Sequence, residues 1–129
     1  MNTFSVLPVA GSGLHVDQTW IDTIGGNVAN AHDVATPGRP LYRPQYVQAT
    51  PAANGGVRVG AITLGSARGV LAYDPTNPVA NAAGYVAHPA VSMGTEMVGL
   101  VTAQAAYTAN AAVVRHADAA YKSILNMGA

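Results

Sequence analysis

The stretch that decides the fold runs from Ser92 to Met127 and reads SMGTEMVGLVTAQAAYTANAAVVRHADAAYKSILNM. Within it Met93, Leu100, Tyr107, Val114 and Tyr121 recur at strict intervals of seven, and the companion row carries Met97, Gln104, Ala111, Asp118 and Leu125. An apolar repeat of this period predicts one long helix with a coiled-coil-like seam. Ser92 is placed to cap its start, and Glu96 falls in the first turn, where the helix dipole favours an anion. Lys122 lies toward the opposite end, and Gly128 follows as a stop. At 1.5 Å per residue such a helix is about 50 Å long.

The other end of the chain mirrors this pattern. Leu7, Leu14, Ile21 and Val28 repeat at sevens, and three residues after each come Ala10, Asp17, Ile24 and Ala31. A helix from about Ser5 to Ala31 is expected, with Ser5 as N-cap and Pro8 at the third helical position, where its missing N–H costs nothing. Gly11, Gly13, Gly25 and Gly26 each weaken that helix by about 1 kcal/mol relative to Ala, so packing must hold it.

Proline marks what lies between. Seven of the eight prolines fall between Pro37 and Pro89, so the middle of the chain cannot form a long helix. Asn54-Gly55-Gly56 is a hairpin signal, and Val57 to Leu64 has the β-branched content of a strand. Tyr42 to Thr50 is its expected partner, with Pro44 confining that segment to an edge. Gly69 to Tyr73 is a third strand candidate, and Asp74-Pro75-Thr76-Asn77-Pro78 reads as a loop. The expected fold is mainly α: long N- and C-terminal helices in an antiparallel, coiled-coil-like pair around a small β-rich, irregular middle. The expected divisions of this one structural unit are residues 1–33, 34–91 and 92–129.

Composition agrees with helices that need neighbours. The 129 residues suit a single domain, and only 9% are charged, against about 25% in an ordinary soluble domain. Six basic residues balance six acidic ones, which argues against a nucleic-acid footprint. A charge-poor, neutral surface tends to associate. The chain has 25 alanines but one Phe and one Trp, a composition for thin helices that approach closely. With no cysteine, disulfides and thiolate metal sites are excluded. Residues Met1 to Gly13 lack the charged start and apolar run of a secretory signal. The uncharged run between Glu96 and Arg115 is long enough to cross a membrane, but it carries Thr102, Gln104, Thr108 and Asn110, and a packed helix is expected instead.

Catalytic patterns are missing from the sequence. Gly11-Ser12-Gly13 has no preceding strand and no third spaced glycine, so it is not a phosphate loop. The histidines, His15, His32, His88 and His116, do not form a ligand spacing, and His116 and Asp118 do not share a helical face. Glu96 is the sole glutamate, which leaves no dedicated carboxylate pair. Neither an enzyme, a metal nor a cofactor is expected. Asn27 and Asn30 are open to two readings, as helix-end residues or as motif residues. Gln104 and Asn110 either face solvent or, were the chain to form a filament, bond to neighbouring subunits, the second being favoured in that case.

Asn27-Val28-Ala29-Asn30-Ala31, followed by Thr36-Pro37-Gly38 and Tyr42-Arg43, resembles the N-terminal signature of the bacterial flagellar rod and hook proteins. Val70 to Pro89, with Gly84-Tyr85-Val86 and Pro89 leading into Glu96-Met97-Val98, resembles a proximal-rod member of that family. Ala103 to Asn110 matches a further block, with Ala105 standing where the family pattern has Arg. The resemblance covers essentially the whole chain. It implies a structural subunit of the basal-body rod that polymerises helically and transmits motor torque. Its implied partners are further copies, other rod proteins, basal-body ring components and the flagellar type III export apparatus, without nucleic acid or direct membrane insertion. It also implies export without a cleaved signal and a place in the rod where it crosses the periplasm. Another rod- or hook-type axial protein, or a non-flagellar helical-hairpin binding module, is the alternative. The expected interface rows are Leu7, Leu14, Ile21 and Val28 on the first helix. On the last they are Met93, Met97, Leu100, Tyr107, Val114 and Tyr121.

Overall fold

A computed structural model describes residues 5–53 and 55–127. Helix α1 spans Val6–Ala29 and helix α2 spans Met93–Met127, with strands β1 (Gln45–Pro51), β2 (Val57–Leu64), β3 (Val70–Tyr73) and β4 (Tyr85–His88) between them. The helices run antiparallel. Asn27 near the end of α1 meets Glu96 near the start of α2, Ile24 lies against Gly99, and Asp17 bonds Asn110. At 1.5 Å per residue α2 is about 52 Å long and α1 about 36 Å, so α2 outruns its partner by some three turns. The surplus turns carry Ile124, Leu125 and Met127, all well exposed.

The buried row of α2 is Glu96, Ala103 and Ala117, with half-buried Asn110 completing an interval of seven. It lies three residues from the Met93, Leu100, Tyr107, Val114, Tyr121 row. Of those large residues, Met93 and Tyr107 are exposed and Leu100, Val114 and Tyr121 are half-buried; Met97 is exposed. On α1 the buried set is Ala10, Gly13, Val16, Asp17, Ile24 and Asn27, while Leu7, Leu14, Ile21 and Val28 are half-buried. The period of seven is present, but the row that occupies it is the one with the smaller side chains. A Cβ on Gly13 would stand 2.6 Å from the Asn110 amide, and one on Gly99 3.2 Å from the tip of Ile24. Helices this close admit Ala, Gly and Asn between them and leave Met, Leu and Tyr to the flanks.

Ser5 precedes α1 as expected, but its side chain makes no cap bond. Ser92 does cap α2, its Oγ accepting from the Thr95 N–H at 3.4 Å. Lys122 does not serve the helix end: it pairs with Asp118 at 2.7 Å, one turn back. The expected stop at Gly128 and the turn residue Asn54 lie outside the described residues.

β1 and β2 form an antiparallel hairpin whose register shifts between Gln48 and Ala49, skipping Gly60. A side chain at Gly60 would collide with Thr50, so glycine permits this bulge. β1 begins immediately after Pro44, which is fully buried. The hairpin lies along α1. Gln45 at one end is tied to Asn27, and the Val57 N–H at the other donates to Ser12 Oγ at 3.1 Å. From Asn27 back to Ser12 is about 22 Å of helix, and β1 spans about 20 Å, so the two lengths match.

The sequence reading missed a strand. Tyr85–His88 pairs with Val70–Tyr73 to make a second, separate two-stranded sheet, and Ala35 bridges Ala87 from its other side. β4 is only four residues long and bracketed by Gly84 and Pro89, too short for alternation to mark it. Its Val86 and Ala87 are nevertheless buried. Gly84 sits at φ +80°, where a Cβ would also stand 2.8 Å from the Tyr73 ring. Gly84→Ala should lower the free energy of unfolding by about 1–2 kcal/mol from the left-handed backbone alone, with the ring contact adding to it. Urea denaturation of the purified chain checks this; an unchanged midpoint would mean that the β3–β4 loop is not held as described.

Candidate functional site

Asn27 is wholly buried and uses its amide fully. Its Nδ2 donates to the Gln45 carbonyl at 2.9 Å and to both Glu96 carboxylate oxygens at 3.2 Å. Its Oδ1 accepts from the Gln45 N–H at 2.8 Å and from the Tyr42 hydroxyl at 3.0 Å. One side chain thus ties together the end of α1, the start of β1 and the first turn of α2. Glu96 is buried with it, in the turn where the helix dipole favours negative charge. Burial, then the Glu96 carboxylate and then Tyr46, pushes the Tyr42 hydroxyl above its ordinary value of 10.0.

A second polar tie lies further along the helix pair, where Asn110 Nδ2 donates to Asp17 Oδ2 at 2.9 Å. Asn110, expected to bond to a neighbouring subunit, makes this bond inside its own chain; Gln104 is exposed. Asn30 has the helix-end role: its Nδ2 donates to the Gly26 carbonyl at 2.8 Å, with φ −103° rather than a left-handed value. Ala29 is exposed beside it. Sequence reasoning missed Asp17, Tyr42 and Gln45 as members of these ties. The available signals were a carboxylate in the otherwise apolar Ala10, Ile24, Ala31 row and the 14-residue spacing of Glu96 and Asn110.

Outside the ties, α2 presents apolar side chains to the surroundings. Val98 is 69% exposed and Val101 67%, and with Met97 and Thr102 they line an open hollow of about 290 Å³. Among the described residues α2 is the one helix whose length and composition could cross a membrane, yet one side of it holds Glu96 and Asn110 in bonds to α1.

Residues 82–127, which take in β4 and α2, match the family model described as flagellar basal body rod FlgEFG protein C-terminal. The chain is 34% identical to the flagellar basal-body rod protein FlgC of Escherichia coli O6:H1, over 99% of each chain. The chain belongs to this FlgC rod-protein family. The FlgC of Salmonella typhimurium is 33% identical over 99% of each chain, and that of Borreliella burgdorferi 31% over 97%.

The motif residues of this FlgC-family chain have local physical roles. Gly84 makes the left-handed turn into β4, and the Tyr85 ring meets Tyr73 edge-on at 5.3 Å. Pro89, buried, ends the strand, and Glu96 closes onto Asn27. Ala105 is exposed.

Asn27→Ala would leave a buried carboxylate and the Gln45 peptide group without their partner. It should cost about 3–5 kcal/mol, read as a lower urea midpoint, with loss of hydrogen-exchange protection at Gln45. The raised Tyr42 hydroxyl predicts an alkaline effect. The folded state holds the proton more tightly than the unfolded one, so its contribution is complete below pH 10 and is lost as pH rises beyond it. A pH series of denaturation midpoints should fall more steeply above pH 10 for the parent than for Tyr42→Phe. Parallel curves would detach Tyr42 from the network.

Proposed function

We propose that this chain is a structural subunit of the flagellar basal-body rod and not an enzyme. Family membership supports the class of protein. The single observation that carries the assembly role is uncovered surface. The chain exposes 8198 Å², whereas a compact monomer of 13.1 kDa is expected to expose about 6,400 Å². The excess, about 1,800 Å², is roughly twice the area that one partner buries in a standard protein–protein interface. Much of what is exposed is apolar and lies on α2, including Val98, Val101, Ile124 and Leu125.

In this reading the two helices form a coiled-coil-like rod-core pair, and the 34–91 segment packs outside them. Copies of the chain and other rod proteins meet the flanking rows in heterologous contacts that propagate helically and carry torque. Met93, Met97, Leu100, Tyr107, Val114 and Tyr121 form the α2 side of that contact, and Leu7, Leu14, Ile21 and Val28 the α1 side. Export through the flagellar type III apparatus, contact with ring components and a location where the rod crosses the periplasm belong to the same proposal. So does the view that α2 packs against protein and not lipid.

Two substitutions separate this reading from a free-standing helical hairpin. Val101 touches little of its own chain, so Val101→Asp should change monomer stability by no more than about 0.5 kcal/mol. In cells it should block rod completion, seen as loss of swimming and of hook-bearing basal bodies by electron microscopy; normal motility would remove this face from the interface. Gly25 tests the other helix, because nothing in the chain lies within 4 Å of where its Cβ would stand. Gly25→Leu should stabilise the isolated chain by up to about 1 kcal/mol through helix propensity. In the rod the added bulk should overpack a subunit contact at a cost of about 1–3 kcal/mol. Rods that assemble normally and resist heat better would place Gly25 in solvent.

A further inference from the structure

The net charge of zero conceals an uneven distribution of charge. Each of the six carboxylates has a partner within the chain. Asp17 accepts from Asn110, Asp22 from Gln18, Glu96 from Asn27, and Asp33 from the backbone of Val34 and Tyr42. Asp74 accepts from Thr76 and Asn77, and Asp118 pairs with Lys122. That last pair is the single ion pair among the described residues. The five arginines therefore have no carboxylate partner there, and three of them, Arg39, Arg43 and Arg68, line one depression of about 470 Å³ together with Pro40, Leu41 and Ala67.

The depression is built by the middle segment. Pro37 and Gly38 occupy the centre of a turn closed by the Arg39 N–H donating to the Thr36 carbonyl at 2.9 Å, with Gly38 at φ +86°. This is a type II turn, with proline and glycine where that turn requires them. Opposite it, the Arg43 Nε donates to the Gly65 carbonyl at 2.9 Å, which fixes one guanidinium at the edge. Arg68 stands between this hollow and a second of about 410 Å³, whose walls include Pro37, Gly69 and the exposed Leu71. A continuous surface results, with arginine forks at one end and an apolar shelf at the other.

We propose that this surface docks an acidic segment of a different polypeptide in the rod assembly, one that sets a carboxylate among the three arginines and an apolar side chain on the shelf by Leu71. The inference rests on the rod reading above. Guanidinium forks suit carboxylates in bidentate geometry. The walls, largely carbon, favour a protein segment over a free inorganic anion. A second copy of this chain is a poorer source, because each of its six side-chain carboxylates already accepts a hydrogen bond or ion pair within its own chain.

The test places photoreactive benzoylphenylalanine at Ala67, inside the depression, in cells that otherwise build normal flagella. Basal bodies are purified after irradiation, and the cross-linked peptide is identified by mass spectrometry. The expected product joins this chain to another protein at a segment carrying Asp or Glu. Its yield should fall about tenfold when Arg39→Gln and Arg68→Gln are combined. Neither of those side chains makes a hydrogen bond or ion pair among the described residues, so the melting temperature of the purified double variant should stay unchanged. A cross-link to another copy of this chain, or to a segment without carboxylates, would overturn the proposal. So would an undiminished yield in the double variant, or no cross-link although the chain is present in the basal bodies. Absence of the chain from basal bodies would instead refute the rod reading, and this proposal with it.

Discussion

The Asn27 amide is the constraint on which the rest of the structure depends. A buried side-chain amide is tolerable only when its donors and acceptor are satisfied, and here the partners come from two distant parts of the chain, Tyr42 to Gln45 and Glu96. The first turn of α2 must therefore lie beside the end of α1, and the chain leaving Tyr42 must start its strand at Gln45. From that point the hairpin follows α1 back to Ser12, and α2 runs antiparallel alongside. Glu96 makes the arrangement exacting, since a buried carboxylate that loses its donor is far costlier than a lost packing contact. The ordinary core is slight by comparison: among the described residues the buried apolar side chains are mostly alanines and valines.

That slightness has a physical origin in how the helices meet. Glycine and alanine between α1 and α2 let the backbones approach, and approach at that range excludes Leu, Met and Tyr from the space between. Those residues move to the flanks, half-covered or bare. A helix pair of this type spends its small side chains on intrachain contact and keeps its large ones for contacts elsewhere. In a free-standing protein this would waste apolar surface; in a chain of the FlgC rod-protein family it is consistent with a subunit whose burial is completed by neighbours.

The middle segment follows a different economy. Its hairpins are short, one of them two strands of four residues, and neither would be stable in isolation. They are held by polar ties: Asp74 and Asn77 within one loop, Asn81 accepting from Ala83 and Tyr85, and the Ser12 hydroxyl receiving the Val57 N–H. Other stretches of the middle segment, residues 36–44 and 65–69, hold Arg39, Arg43 and Arg68 at the surface, on the part of the chain that proline keeps out of the helices.

What the sequence determined by itself was whatever local physics controls. Heptad spacing and the placement of proline were enough for two long helices around a β-rich middle, and Asn54-Gly55-Gly56 before a β-branched run located the hairpin and its second strand. The motif blocks that end at Ala31, Pro89 and Asn110 were sufficient for the family. Tertiary structure alone decided which row of each helix is covered, because a period of seven recurs in every row, and only the separation of the backbones selects Ala103 and Ala117 over Leu100 and Val114. It also decided that Tyr85 to His88 is a strand, since four residues acquire that state from their partners Val70 to Tyr73 and Ala35. The same holds for Asn27: whether a helix-end asparagine caps its own helix or joins three segments depends on groups 15 to 69 residues away, which no local pattern encodes.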